Sequence, residues 1–265
     1  MDAGDFLGLQ ATHDANRWVL PVETGVATAG RFLFGGCGLG AAIVAMERVL
    51  GRSVVWATAQ YLDYAVIGEF VDIDVTVVTS GHHTSQARVV AHVGDREILT
   101  VNAALGERPG TDRQWGAPPA VPPPDECPLR ARRVDMPGSL MQRLEIRLAR
   151  GAQWDELAPD TLPDGRSALW VRMPDIEMSA ASLAVLGDYV PYGFAQALGH
   201  WMRSNSLDNT LRIHRITDVE WVLLDIAVHG LHRGFGHGRV HLWDEEGVLL
   251  GTASQSAIVR DPIVP

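Results

Sequence analysis

The stretch Val219–Arg260 reads VEWVLLDIAVHGLHRGFGHGRVHLWDEEGVLLGTASQSAIVR, and it decides the fold class. Three apolar runs rich in β-branched residues are separated by glycine-containing breaks, and Glu245-Glu246-Gly247 stands where a hairpin turn is needed. Strands punctuated in this way form an antiparallel meander. Inside the last run Gln255 is a lone amide among Ala253, Ser254, Ser256 and Ala257. A buried amide needs hydrogen-bond partners, so Gln255 is either a structural tie or part of a site.

The meander occurs twice. Shifted by 151 positions, Glu69-Phe70 falls on Glu220-Trp221, Ile73 on Leu224, Val75 on Ile226, Arg88-Val89 on Arg239-Val240, Ile98-Leu99 on Leu249-Leu250, and Gly36 on Gly187. Self-similarity at a fixed period signals repeated architecture. Each copy combines helical with strand patterns. In the first, Cys37–Leu50 is helical and Ser53–Asp63, Phe70–Ser80, Gln86–Val93 and Ile98–Leu105 are strands. In the second, Ser179–Arg203 is mostly helical, interrupted around Gly187–Pro191, and is followed by a strand over Leu207–Ile216 and by the opening meander. The expected fold is α+β, two repeats each with a long helix wrapped by an antiparallel sheet. The expected division is 1–107, a Pro-rich semi-rigid linker at 108–138 carrying PPAVPPPDECP, and 139–265.

A net charge of −10 argues against a nucleic-acid partner. Cys37 and Cys127 are the only cysteines, which leaves no disulfide framework or CxxC zinc site and suits a reducing compartment. The N-terminal MDAGDFLGLQ lacks a basic n-region, and no apolar run approaches the length of a membrane span. A cytoplasmic protein is the expectation. His229, His232, His237 and His241 sit without carboxylates among them, and His-x-x-His along a strand points to opposite faces unless a bulge intervenes, so no metal site is expected. No cofactor is called for: Gly36-Cys37-Gly38-Leu39-Gly40 lacks the third glycine of a dinucleotide fingerprint.

RFLFGGCGLGAAIVA (31–45), NSLDNT (205–210), VEWVLLDI (219–226), RGFGHG (233–238) and GVLLGTASQSAIVR (247–260) resemble the type II acyl-CoA thioesterase family of the thioesterase-like superfamily. The resemblance implies a double hotdog fold and hydrolysis of acyl-CoA, of medium to long chain, to free acid and CoA. It also implies an Asp, a Thr or Ser, and a Gln that together hold the attacking water. Carried over, the Asp is similar to Asp208 and the Gln to Gln255. No Thr or Ser lies between Asp218 and Thr252, where the count places the hydroxyl, and His229 stands there instead. Cys37 stands where the family commonly has Gln. At offset 151 the first half has Ala57 and Ala104 opposite Asp208 and Gln255, which implies one working site per chain.

Asp208 can serve as general base or attack directly. Gly35, Gly36 and Cys37 open the first helix; its N–H groups suit an oxyanion, and the glycines equally permit close packing. That helix end is expected to face Asp208 across the pairing of the halves, and Cys37 is expected to be a small buried residue. Phosphates of CoA have Arg31, Arg52 and Arg233 as candidate partners. Two other readings keep the fold: an enoyl-CoA hydratase or dehydratase using Asp208 with His214, and a non-catalytic acyl-CoA-binding protein, favoured by the missing hydroxyl. Open sheet edges predict a homodimer or larger assembly.

Overall fold

A computed structural model describes residues 1–132, 136–159, 162–174 and 176–260. The first half contains α1 (Ala3–Leu7), β1 (Gln10–Ala11), β2 (Arg17–Pro21), α2 (Gly35–Leu50), β3 (Val54–Tyr61), β4 (Phe70–Ser80), β5 (Thr84–Val93) and β6 (Arg96–Gly106). The second contains β7 (Glu145–Arg150), β8 (Arg166–Arg172), α3 (Ala180–Gly187), α4 (Val190–Leu198), β9 (Arg203–Ser206), β10 (Asp208–Ile213), β11 (Val222–His232), β12 (Phe235–Trp243) and β13 (Leu249–Arg260). The strands form one antiparallel sheet in the order β1-β2-β4-β5-β6-β3-β10-β13-β12-β11-β8-β7, with β9 also on β13. The halves meet at the β3–β10 pair and where α2 packs on α3, among other contacts. Among the described residues no helix is long and apolar enough to cross a membrane.

The offset of 151 survives in the strand register. Asp74 pairs with Val90, and Asp225 with His241. The first hairpin slips between Val77 and Thr79, the second between Val228 and Gly230; β5–β6 slips between Ala91 and His92, β12–β13 between Leu242 and Trp243. Bulges are fixed features of a strand pair, so their recurrence at one spacing is stronger than the sparse identities. The closing strand departs by one residue. Val89 faces Val101, whereas Val240 faces Ala253, so β13 runs at 152. A one-residue slip exchanges the faces of a strand, and the inward counterpart of Gln255 is thus Ala103, not Ala104.

The helices do not obey the offset. Gly36 lies in the first turn of α2 but Gly187 ends α3. The second half also lacks a single long helix. Pro191 has no N–H to give Gly187 and its ring collides with that carbonyl, so the helix breaks at Asp188 (φ −89°, ψ 49°) and resumes as α4. The glycines of α2 serve helix–helix contact. A methyl on Gly36 would lie 2.7 Å from the Ala184 carbonyl oxygen and 2.9 Å from Val185 Cα, and one on Gly40 would lie 3.0 Å from the Ala181 oxygen. Both obstacles are backbone and cannot swing aside. We expect Gly36→Ala to destabilise the chain by about 1–3 kcal/mol, measured as a lower urea midpoint with an unchanged m-value.

The Pro-rich segment packs against the second half. Trp170 Nε1 donates to the Pro122 carbonyl (2.9 Å), Gln114 bridges Gly247 and Leu249, and Cys127 packs with Trp170, Trp221, Leu223 and Trp243 in a small core of their own. Residues 133–135 of the expected linker lie outside the described residues.

Candidate active site

The break between α3 and α4 puts a carboxylate, Asp188, into the seam between the halves, where it is 6% exposed. Its Oδ2 accepts the Gly36 N–H (2.7 Å) and its Oδ1 accepts from Gln255 Nε2. Gln255, 2% exposed, has every polar position in use or shared. Its Oε1 accepts the Val190 N–H at the start of α4 (3.1 Å), and Nε2 also donates to Ser206 Oγ (3.2 Å). The amide thus fixes the positions of Asp188 and Ser206 at once. Because Ser206 Oγ accepts from Gln255, its own proton is free to point to a ligand.

Burial is the dominant influence on Asp188 and pushes its carboxyl up to about 7; the hydrogen bonds from Gln255 and Gly36 work in the opposite direction. A carboxyl near 7 holds and releases a proton under ordinary conditions, as a general base must.

The partner of Gln255 is therefore not the expected Asp208. Between Thr210↔Ser254 and Ser206↔Ala257 the β9–β10 side uses four steps and β13 three. The extra residue is a bulge. It turns Ser206 inward beside Gln255, while Asp208 lies on the outer face next to the inward, fully buried Asn209. Asp208 Oδ1 accepts the Ser256 N–H (2.8 Å), which ties down the irregular register. His229 is the bulged residue of β11; it is exposed, 6.0 Å between ring centroids from His237, and its pKa is lowered by burial first and Arg239 second. It does not join Gln255. Among the described residues no His, Cys, Asp and Glu group is arranged to hold a metal ion.

Gly35 and Gly36 do lie at the site. The Gly36 N–H is occupied by Asp188, and the Cys37 N–H bonds the Phe34 carbonyl (3.0 Å), so neither is open to an oxyanion. Cys37 is fully buried, and burial followed by the nearby Asp188 raises its thiol far above the ordinary range. A thiol so placed is inert. Asp208 and His214 lie six residues apart on one strand direction, roughly 20 Å, and His214 is exposed; the pair the hydratase reading needs does not form.

Asp188 had a signal in the sequence. It is the one charged residue in AASLAVLGDYVPYGFAQAL (180–198), and a lone carboxylate in an apolar run is costly unless it has a task. Ser206 had only its nearness to Asp208, since the bulge that turns it inward leaves no mark on the residue pattern.

Residues 124–259 match the family model of the acyl-CoA thioesterase C-terminal domain. No curated protein matches the chain. A solved structure of a candidate thioesterase from Novosphingobium aromaticivorans DSM 12444 is 33% identical, with 96% of this chain and 98% of that one covered at a TM-score of 0.86. A hot dog fold protein of unknown function from Alicyclobacillus acidocaldarius (20% identity, 98% of each chain, TM-score 0.85) shares the fold. So does acyl-CoA thioesterase II from Mycobacterium marinum (21% identity, 98% of each chain, TM-score 0.77). With the family model spanning half of the sequence and the Novosphingobium protein matching nearly all of it, this hotdog chain belongs to the acyl-CoA thioesterases and is a thioester hydrolase.

Proposed function

We propose that the chain hydrolyses medium- to long-chain acyl-CoA, with Asp188 as general base, Ser206 as the hydroxyl that orients the water, and Gln255 as the tie between them. The observation that carries this is the carboxylate near 7 held from both sides, by Gln255 and by the start of α2. Water adds to the thioester carbon as its proton passes to Asp188. Collapse of the adduct breaks the C–S bond, and the proton returns to the sulfur, giving acid and CoA. The site is built once: the inward counterpart of Gln255 in the first half is Ala103. We read the two halves as hotdog repeats from an internal duplication, divided near 107 and 139, and the open β1 and β7 edges as favouring a homodimer or larger assembly.

A cavity of about 710 Å3 opens beside the second half. Its apolar lining includes Leu129, Met141, Leu144 and Ile146, and its guanidinium lining includes Arg130 and Arg132. Met141 Sδ accepts from the hydroxyl of Tyr189, the neighbour of Asp188 (3.7 Å). This mixture suits an acyl chain with an anionic carrier, and it replaces Arg31, Arg52 and Arg233 as our choice for the CoA end. Arg52 is held instead by the Gly81 carbonyl and Ser85. Arg132→Ala is expected to raise KM several-fold with kcat unchanged, more at low ionic strength than at high; an unmoved KM excludes this cavity as the carrier site. Thiol release across a panel from acetyl- to palmitoyl-CoA tests the whole reading, and release from no member while acyl-CoA still binds would overturn it.

A further inference from the structure

The reaction as drawn leaves the carbonyl oxygen without donors. At the start of α2 the Gly36 N–H is already committed to Asp188 and the Cys37 N–H to Phe34. Two other groups of the same chamber are unused. Tyr61 closes β3, and its amide N–H donates to the Leu207 carbonyl (2.9 Å), one residue from Ser206. Its hydroxyl is shut off from solvent and makes no hydrogen bond. Asn209, fully buried on the inner face of β10 and paired with Ala59, has neither Oδ1 nor Nδ2 hydrogen-bonded. The Asn209 amide lies against the Tyr61 hydroxyl and favours its ionised form as a hydrogen-bond neighbour would, although the pair makes no hydrogen bond of ordinary geometry; a methyl on Gly35 would lie 2.8 Å from Asp188 Oδ2 and 3.0 Å from Tyr61 Oη. Hydroxyl and carboxylate thus converge on one helix start.

Orphaned polar groups in a buried chamber are costly and need a reason. A Phe and a Leu would fill these places without that cost. Both groups can donate, and Tyr61 keeps its proton throughout the working range, since burial and then the carboxylates of Asp188 and Asp208 raise its pKa well above that of an ordinary phenol. The missing partner is then an acceptor whose negative charge grows during reaction.

We propose that Tyr61 Oη and Asn209 Nδ2 are the oxyanion donors of this enzyme, the first half supplying the one and the second half the other, so that neither half is competent alone. The inference rests on the hydrolase reading with Asp188 as base. As water adds to the carbon, the carbonyl electron pair moves onto the oxygen and is held by these two donors. On collapse the pair reforms the carbonyl and the thiol leaves with the proton from Asp188.

Steady-state kinetics on Tyr61→Phe and Asn209→Leu, with Asp188→Asn alongside, test it. Each donor variant should lose about 10^2–10^3-fold in kcat, as removal of one oxyanion donor does elsewhere, with KM within about twofold. Tyr61→Phe should fold with an unchanged or higher melting temperature, because it removes an orphaned group. Wild-type kcat in either donor variant, with Asp188→Asn inactive, sinks the oxyanion assignment and leaves the hydrolase reading standing. Full activity in Asp188→Asn sinks the parent reading instead. Should Tyr61→Phe fail to fold, the Asn209→Leu result decides alone.

Discussion

Asp188→Asn is expected to abolish most of the turnover, lowering kcat by about 10^2–10^4-fold, the range that a positioned general base supplies. Asparagine keeps the shape and can still accept the Gly36 N–H, though it gives up the hydrogen bond from Gln255, so the chain should fold and bind acyl-CoA. What it loses is the ability to take a proton from water. Asp208→Asn is the control with the opposite expectation. Its carboxylate caps a bulge on the outer face through the Ser256 N–H, so kcat should stay within a few-fold while stability falls by about 1 kcal/mol. Thiol release and a denaturation curve on the same two preparations settle the matter. A dead Asp208→Asn beside an active Asp188→Asn would return the acid to the outer face and remove our site.

The choice between these two aspartates shows how far the sequence reaches. Alternation of apolar residues located β4, β5 and the closing meander closely, and a 151-residue shift matched even the bulges after Val77 and Val228. Those features are local: each follows from which face a residue must bury. The site depends on two one-residue events that local pattern does not carry. One is the bulge between Ser206 and Thr210, which puts Ser206 inside and Asp208 outside although the two are separated by a single residue. The other is the break at Pro191, which the sequence marks but whose consequence, a carboxylate swung against the first turn of a helix 152 residues away, is a tertiary fact. Gln255 stood out as a lone amide among small residues, to be read as a structural tie or as part of a site. Its hydrogen bonds nonetheless differ from expectation, since its carbonyl caps α4 rather than holding water.

Raising the pH should stabilise Asp188→Asn relative to wild type while it activates wild type. The sign follows from the direction of the shift. Asp188 is raised from 3.8 to about 7 in the folded chain, so the folded state binds this proton more tightly than the unfolded state does. The stability that the group confers is fully present below about 3.8 and drains away as pH rises through 7. At about 1.36 kcal/mol per pH unit, the interval amounts to roughly 4 kcal/mol, an upper figure because partial opening of the chamber would lessen it. Urea midpoints of wild type and Asp188→Asn at pH 4.5 and pH 8 should therefore diverge, the variant gaining on wild type as pH increases, whereas an equal difference at both values would mean that the carboxyl titrates normally. Over the same interval kcat/KM of wild type should climb and level above about 7, since only the ionised carboxylate accepts a proton from water. The charged form that destabilises the fold is the form that the reaction uses. Gln255 and the start of α2 lower the cost of ionising Asp188, and burial keeps its pKa high enough for the carboxylate to work as a base near neutral pH.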